Sequence, residues 1–147
     1  MTEHKGNIER DLEMLKLFDL ARKVVEEADE SAKKYPTSEE VQIVVVEPNK
    51  RPYKKTVKND LKTTQDIIGG YMENIFIGDY DGIKLAIVCN EDGIRLDLPL
   101  NRRIIGRYNL LGTFYITGYN KQGDKITLPD FLAETYIKRF SPLEVYL

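Results

Sequence analysis

Two short stretches of the chain combine the residue types that hold phosphate. The first is Lys50-Arg51-Pro52-Tyr53-Lys54-Lys55, followed by Lys58 and Lys62; the second is Asn101-Arg102-Arg103, followed by Arg107 and Tyr108. A guanidinium fork binds two phosphate oxygens at once, and a tyrosine ring beside it offers a flat face for a stacked base. On that chemistry Lys50, Arg51, Arg102, Arg103 and Arg107 are expected to contact phosphate. Tyr53, Tyr71 and Tyr108 are the expected stacking rings, and Asn90 and Asn101 the expected readers of base edges. A plainer reading exists for the first stretch, as an edge strand whose lysines block edge-to-edge aggregation. For the second, adjacent arginines in a loop with Gly106 answer to no local propensity, which favours a binding role.

Covalent chemistry has little to work with. A serine or cysteine nucleophile needs a base in hydrogen-bond reach, and the single histidine, His4, sits at the N-terminus. The serines are Ser31, Ser38 and Ser141, none of them in a nucleophile elbow. One Cys and one His do not supply the ligands of a zinc site. Asp79, Asp81, Glu91 and Asp92 lie in Gly-containing turns, where carboxylates serve local hydrogen bonds, and Gly69-Gly70 runs on into Tyr71-Met72-Glu73 without the Lys-Ser/Thr of a phosphate loop. Paired-carboxylate catalysis stays open, with nothing in the sequence to position it. The expectation is a non-enzymatic protein without metal or cofactor, in which Cys89, within Ala86-Ile87-Val88-Cys89, is a small core residue.

These side chains need a scaffold, and 147 residues with 41% hydrophobic and 31% charged content suffice for one folded domain with an appendage. No apolar run is long enough for a membrane span and no signal-peptide core is present, so a cytoplasmic location is expected, the host cytoplasm if the gene is viral. Residues 1–40 carry seven Lys/Arg against eleven Asp/Glu, whereas the remainder carries fifteen against thirteen. Anion binding therefore belongs to the second part, and the overall negative balance disfavours duplex DNA.

Ile8, Leu12, Leu15, Phe18, Ala21, Val25, Ala28, Ala32 and Tyr35 recur at helical spacing between Gly6 and Pro36, which predicts a helix of about 28 residues and ~42 Å. Met14, Leu17, Leu20 and Val24 widen its apolar face, so the helix either packs on its own domain or associates with another copy. Residues 1–36 are this helix, 37–40 a linker and 41–147 the binding domain. Within the domain, strands are expected at Val41–Glu47, Tyr53–Lys58, Tyr71–Ile77, Ile83–Cys89, Ile94–Leu98, Leu111–Tyr119 and Lys125–Leu128. Asp60 caps a short helix, Leu61–Ile68, that Gly69-Gly70 stops; Asn90-Glu91-Asp92-Gly93 is a hairpin turn, 99–109 a loop, and Thr127 caps a last helix to about Phe140. Tyr115, Tyr119 and Tyr136 are expected in the core. The fold class is α+β: an antiparallel β-meander sheet with a short inserted helix, a C-terminal helix and a long N-terminal helix.

Four segments of this domain, taken in order, resemble a family catalogued as domain of unknown function 3846. They are Val44-Val45-Val46-Glu47-Pro48-Asn49-Lys50-Arg51-Pro52, with Asn49 where the family has glycine; Gln65-Asp66-Ile67-Ile68-Gly69-Gly70-Tyr71-Met72-Glu73; Val88-Cys89-Asn90-Glu91-Asp92-Gly93; and Leu98-Pro99-Leu100-Asn101-Arg102. Asn tolerates the left-handed conformation, so the first turn should survive. The resemblance covers about residues 41–130 and implies a small accessory protein of phages and mobile elements, without importing an activity. Together with the basic clusters it leads to the expectation of a stoichiometric binder of a small anionic ligand. The leading candidate is a sponge for a signalling cyclic dinucleotide of antiphage defence, in an immune-evasion role, assembled as a homo-oligomer through the N-terminal helix. The alternatives are a protein-protein inhibitor or adaptor that works through the acidic helix, a nucleic-acid accessory factor, and a carboxylate hydrolase.

Overall fold

The computed structural model describes residues 2–147, with side chains from Gly6 onward, so the side chain of His4 lies outside the described residues. Helix α1 spans Thr2–Lys34 and ends two residues before Pro36, with Gly6 the one helix breaker inside it. Its last turns meet the rest of the chain: Ser31 donates to the Gly82 carbonyl and accepts from the Lys121 amide, and Asn120 Nδ2 donates to the Tyr35 carbonyl. Lys34 and the Tyr35 hydroxyl both bond Asp81. Between Ile8 and Val25 the widened apolar face is open: Leu17, Phe18, Leu20 and Val24 are each more than 60% exposed.

Strand β1, Glu40–Val46, is a β-branched run buried on both faces, as a central strand must be. Asn49 at φ 61° turns the chain into β2, Tyr53–Lys58, so the asparagine does adopt the left-handed conformation. Asp60 accepts from the Thr63 amide and caps α2, Leu61–Ile68. Gly69 at φ 78° ends that helix with its amide on the Gln65 carbonyl. Strands β3, Met72–Tyr80, and β4, Ile83–Asn90, form a hairpin closed by Asp81 and Gly82, both at positive φ, as a two-residue primed turn demands.

The next segment departs from expectation. Ile94, Leu96 and Leu98 alternate but form no strand; residues 91–97 are a run of turns in which Gly93 keeps a negative φ and Asp97 takes the positive one. Ile94 is 88% exposed, so the alternation reflects no buried face. The expected loop 99–109 instead holds β5, Leu100–Ile104, and the start of β6, Tyr108–Leu111, joined through Gly106 at φ 76°. The expected strand 111–119 breaks at Gly112, whose φ of 72° and 2.8 Å clearance to Leu98 Cδ1 admit no Cβ. Strand β7, Phe114–Tyr119, follows, then β8, Lys125–Ile126. Thr127 does not cap the last helix. The Leu128 amide bonds the Gln42 carbonyl, which extends the chain past Thr127, and α3 begins at Asp130 behind Pro129 and runs to Arg139. Strand β9, Glu144–Val145, pairs parallel to β5.

The main sheet runs β2-β1-β7-β4-β3, with β8 beside β7, and every pair is antiparallel. Its hairpins are sequential, but β7 inserts between them. A second sheet, β6-β5-β9, and α3 cover one face over a core of Val44, Val46, Ile87, Phe114, Ile116 and Phe140; α2 covers the other over Val41, Ile43, Val45 and Tyr115. Tyr115 and Tyr136 are in the core, whereas Tyr119 is half-buried, its hydroxyl donating to Asn74.

Candidate functional site: a basic cleft around a buried arginine

Antiparallel registers put the β1–β2 turn, the start of β7, the end of β4 and the start of β3 at one end of the sheet. The β5 strand lies against that end, because Asn101 Nδ2 donates to the Val46 and Gly112 carbonyls, each at 2.8 Å. Asn101 is 1% exposed, so it is a structural clamp between the two sheets and not a reader of base edges. Asn90 is corrected in the same way: its Nδ2 donates to the Ile68 carbonyl and its Oδ1 accepts from the Asp92 amide, which ties α2 to the turn after β4.

Arg102 is 3% exposed. Its Nε donates to the Phe140 carbonyl at 2.6 Å, Nη1 to the Asn101 carbonyl and Oδ1, and Nη2 to the Lys50 carbonyl at 2.7 Å. Among the described residues, one of its five N–H groups stays without a protein partner. Every acceptor is neutral: among the described residues no carboxylate forms an ion pair with this guanidinium, and burial pushes its pKa down. A buried guanidinium still keeps its proton, so the site carries a desolvated positive charge.

Above it opens a cleft of about 420 Å³ lined by Asn49, Lys50, Arg51, Arg102, Ser141 and Leu143. Lys50 lies 3.7 Å from Glu47, an exposed and loose pairing, and Arg51 is exposed. The Ser141 hydroxyl donates to the Ile137 carbonyl, so the donors that line the cleft are the cations Lys50, Arg51 and Arg102 and the neutral amide of Asn49. Lys50, Arg51 and Arg102, far apart in sequence, are thus brought together by the β5 bulge between Leu100 and Arg102 and the Asn49 turn.

The other expected contacts scatter. Strand alternation sends Lys54 to Asp130 and Glu134 on α3, while Tyr53 shares a face with Val45, on the α2 side, and bonds Glu47. Arg103, exposed, and Arg107 line a shallow recess at the β5–β6 tip. Tyr71 stands at the far corner beside Gly69 and Gly70, three strand spacings or about 14 Å from β1. Tyr108, with a buried hydroxyl that lacks a protein partner, and Asn90 line a separate, mainly apolar cleft of about 380 Å³ with Glu73, Ile75 and Cys89. Burial pushes the Cys89 thiol up to about 11, which keeps it neutral. No group of three or more His, Cys, Asp or Glu able to hold a metal is found among the described residues.

One further cation had no signal in the sequence. Lys125 reaches inward to the Tyr115 hydroxyl at 2.7 Å and to Thr64 at 3.3 Å, and burial pushes its amine down to about 8. Below pH 8 the folded and unfolded chains both carry this proton, and the cost of burying it is fully present. Between pH 8 and the ordinary value of 10.5 the unfolded chain binds more protons, so stability rises with pH. Lys125→Met should remove that rise, which screening by solvent holds to about 1 kcal/mol. Denaturant unfolding of both proteins at pH 7 and pH 10 measures the difference; an identical pH response in the two would exclude it.

A family model described as Domain of unknown function (DUF3846) matches residues 41–141. The match begins with β1 and ends after α3, so it contains the whole cleft except Leu143 and leaves out α1. Neither the curated proteins nor the solved structures contain a match to the chain.

Proposed function

The chain belongs to the family of domain of unknown function 3846, a name that carries no activity, and from its basic cleft we propose a non-enzymatic protein that binds and sequesters a small phosphate-bearing anion. The observation that carries this reading is the charge of Arg102, buried among neutral carbonyls and left with a free N–H beside Lys50 and Arg51. A desolvated cation without a counter-charge is costly, and an anion seated in the cleft removes that cost. The phosphate oxygens would accept hydrogen bonds from the free Nη2 N–H of Arg102 and from the Lys50 and Arg51 side chains. Leu143, half exposed at the rim, gives an apolar shelf for a base or ribose, a role expected of the tyrosines.

The finer reading is a signalling nucleotide, a cyclic dinucleotide in particular, held as an immune-evasion sponge of a phage-type protein in the host cytoplasm. Its support is the size and charge of the cleft and the absence of any catalytic pairing around it among the described residues. Thermal-shift titration with inorganic phosphate, pyrophosphate and cyclic dinucleotides tests both levels. A nucleotide raising the melting temperature at concentrations where pyrophosphate does not, and recovered unchanged after denaturation, supports the sponge; equal shifts by both limit the reading to the phosphate. If no probe shifts the transition at high excess, the proposal fails. Lys50→Glu with Arg51→Glu alters exposed side chains, so the fold should persist while affinity falls by about 10–100-fold, on the order of 0.7–1.4 kcal/mol per reversed charge. Unchanged affinity would place the anion elsewhere.

A further inference from the structure

The exposed face of α1 is a seam. Met14, Phe18, Ala21, Val25, Ala28 and Ala32 follow one another at steps of four, three, four, three and four, the spacing of a coiled-coil stripe, and Leu17 and Val24 flank it. The C-terminal end of this stripe is covered by the chain's own domain: Ala28 and Ala32 are half-buried, and Ser31 is clamped between Gly82 and Lys121. N-terminal to Ala28 the same stripe continues into open solvent, with Met14, Leu17, Phe18, Leu20, Val24 and Val25 each more than half exposed. At roughly 60–120 Å² of buried apolar surface per side chain, these six supply on the order of 500 Å² per copy before the stems of flanking residues are added. A stable interface needs about 800 Å² per partner, so the face is close to the size of a dimer interface.

We infer that α1 pairs antiparallel with α1 of a second copy, up to residue 27, about a centre between Met14 and Leu15. Two independent features lead to that arrangement. The domain occupies the seam from Ala28 onward, so a partner helix on the same face must stop there; a parallel partner would drive both domains into the same space, whereas an antiparallel one ends its own helix beside the neighbour's domain. Helix α1 begins at Thr2, so a symmetric overlap that stops at residue 27 is centred between Met14 and Leu15. Charge leads to the same point. Antiparallel pairing about that centre sets Arg10 level with Asp19 of the partner helix and Glu13 level with its Lys16, opposite charges in both cases, with Met14 level with Leu15. Parallel pairing would set like against like.

This assembly is independent of anion binding, since the cleft lies in the domain. Light scattering on the full chain at micromolar concentration should give twice the monomer mass, and Phe18→Glu should give the monomer with an unchanged thermal transition of the domain. Spin labels at Lys16→Cys and Glu30→Cys determine direction, the native Cys89 being buried and neutral. In the antiparallel pair the Lys16 labels lie about 5 Å apart along the axis and the Glu30 labels about 47 Å apart. A monomeric wild type, a Phe18→Glu dimer, or equal distances at the two sites would each overturn the inference.

Discussion

Arg102→Met is expected to lower stability by about 3–5 kcal/mol, because three main-chain carbonyls lose a charged donor at once. At about 2–4 °C per kcal/mol for a chain of this size, the melting temperature should fall on the order of 10–15 °C. The Phe140 and Lys50 carbonyls are held by different nitrogens of one planar group, so Arg102→Lys, a single point of charge, should recover little of the loss. A second effect separates this arginine from an ordinary structural one. Wild-type protein should gain stability on adding pyrophosphate beyond that given by chloride at equal ionic strength, and Arg102→Met should not. Parallel melting curves with and without pyrophosphate read both quantities, and an anion response that survives in Arg102→Met would detach the ligand from this residue.

Asn101→Leu should cost about 2–4 kcal/mol, since it leaves the Val46 and Gly112 carbonyls unpaired inside the protein. The amide oxygen of Asn101 also accepts from Arg102 Nη1 at 2.9 Å, so the two side chains act as one unit. The double substitution is then expected to be less damaging than the sum of the single ones, by 0.5 kcal/mol or more in a chemical-denaturation cycle. Strict additivity would show that the clamp and the arginine are independent, and the affinity for anion should fall in Asn101→Leu because the guanidinium loses one of its supports.

Local signals in the chain were the readable ones. Asp60 and Gly69 bracket α2 because capping needs only near neighbours, and Asn49 turns left-handed because its side chain permits it. The β5–β6 hairpin was hidden, since a strand that buries Asn101 and Arg102 looks like a polar loop until the carbonyls that receive them, from Val46, Gly112, Lys50 and Phe140, are in place. Ile94, Leu96 and Leu98 mislead in the opposite sense, alternating without a neighbour to pair with. The cleft was legible in part: Lys50, Arg51 and Arg102 were visible as basic residues, but their meeting depends on contacts across about fifty positions. Tyr53, Tyr71 and Tyr108 lie nearest the basic segments in sequence, but the pleat of β2, the width of the sheet and the reach of the hairpin carry them elsewhere. The charge state of Lys125 follows from burial against Tyr115, which no local pattern encodes.

The place of β1 between β2 and β7 sets a timetable for synthesis. Its first partner follows within a few residues, but the second does not: Val44 pairs with Ile116, 72 positions later. At about 5–20 residues per second, a ribosome delivers that partner roughly 4–14 s after β1 itself. Through that interval the β1–β2 hairpin has one edge studded with lysines and another, Ile43 to Val46, that is bare, apolar and ready to pair with any strand it meets. A circular permutant whose synthesis begins with β7 would present β1 with that partner as soon as β1 emerges.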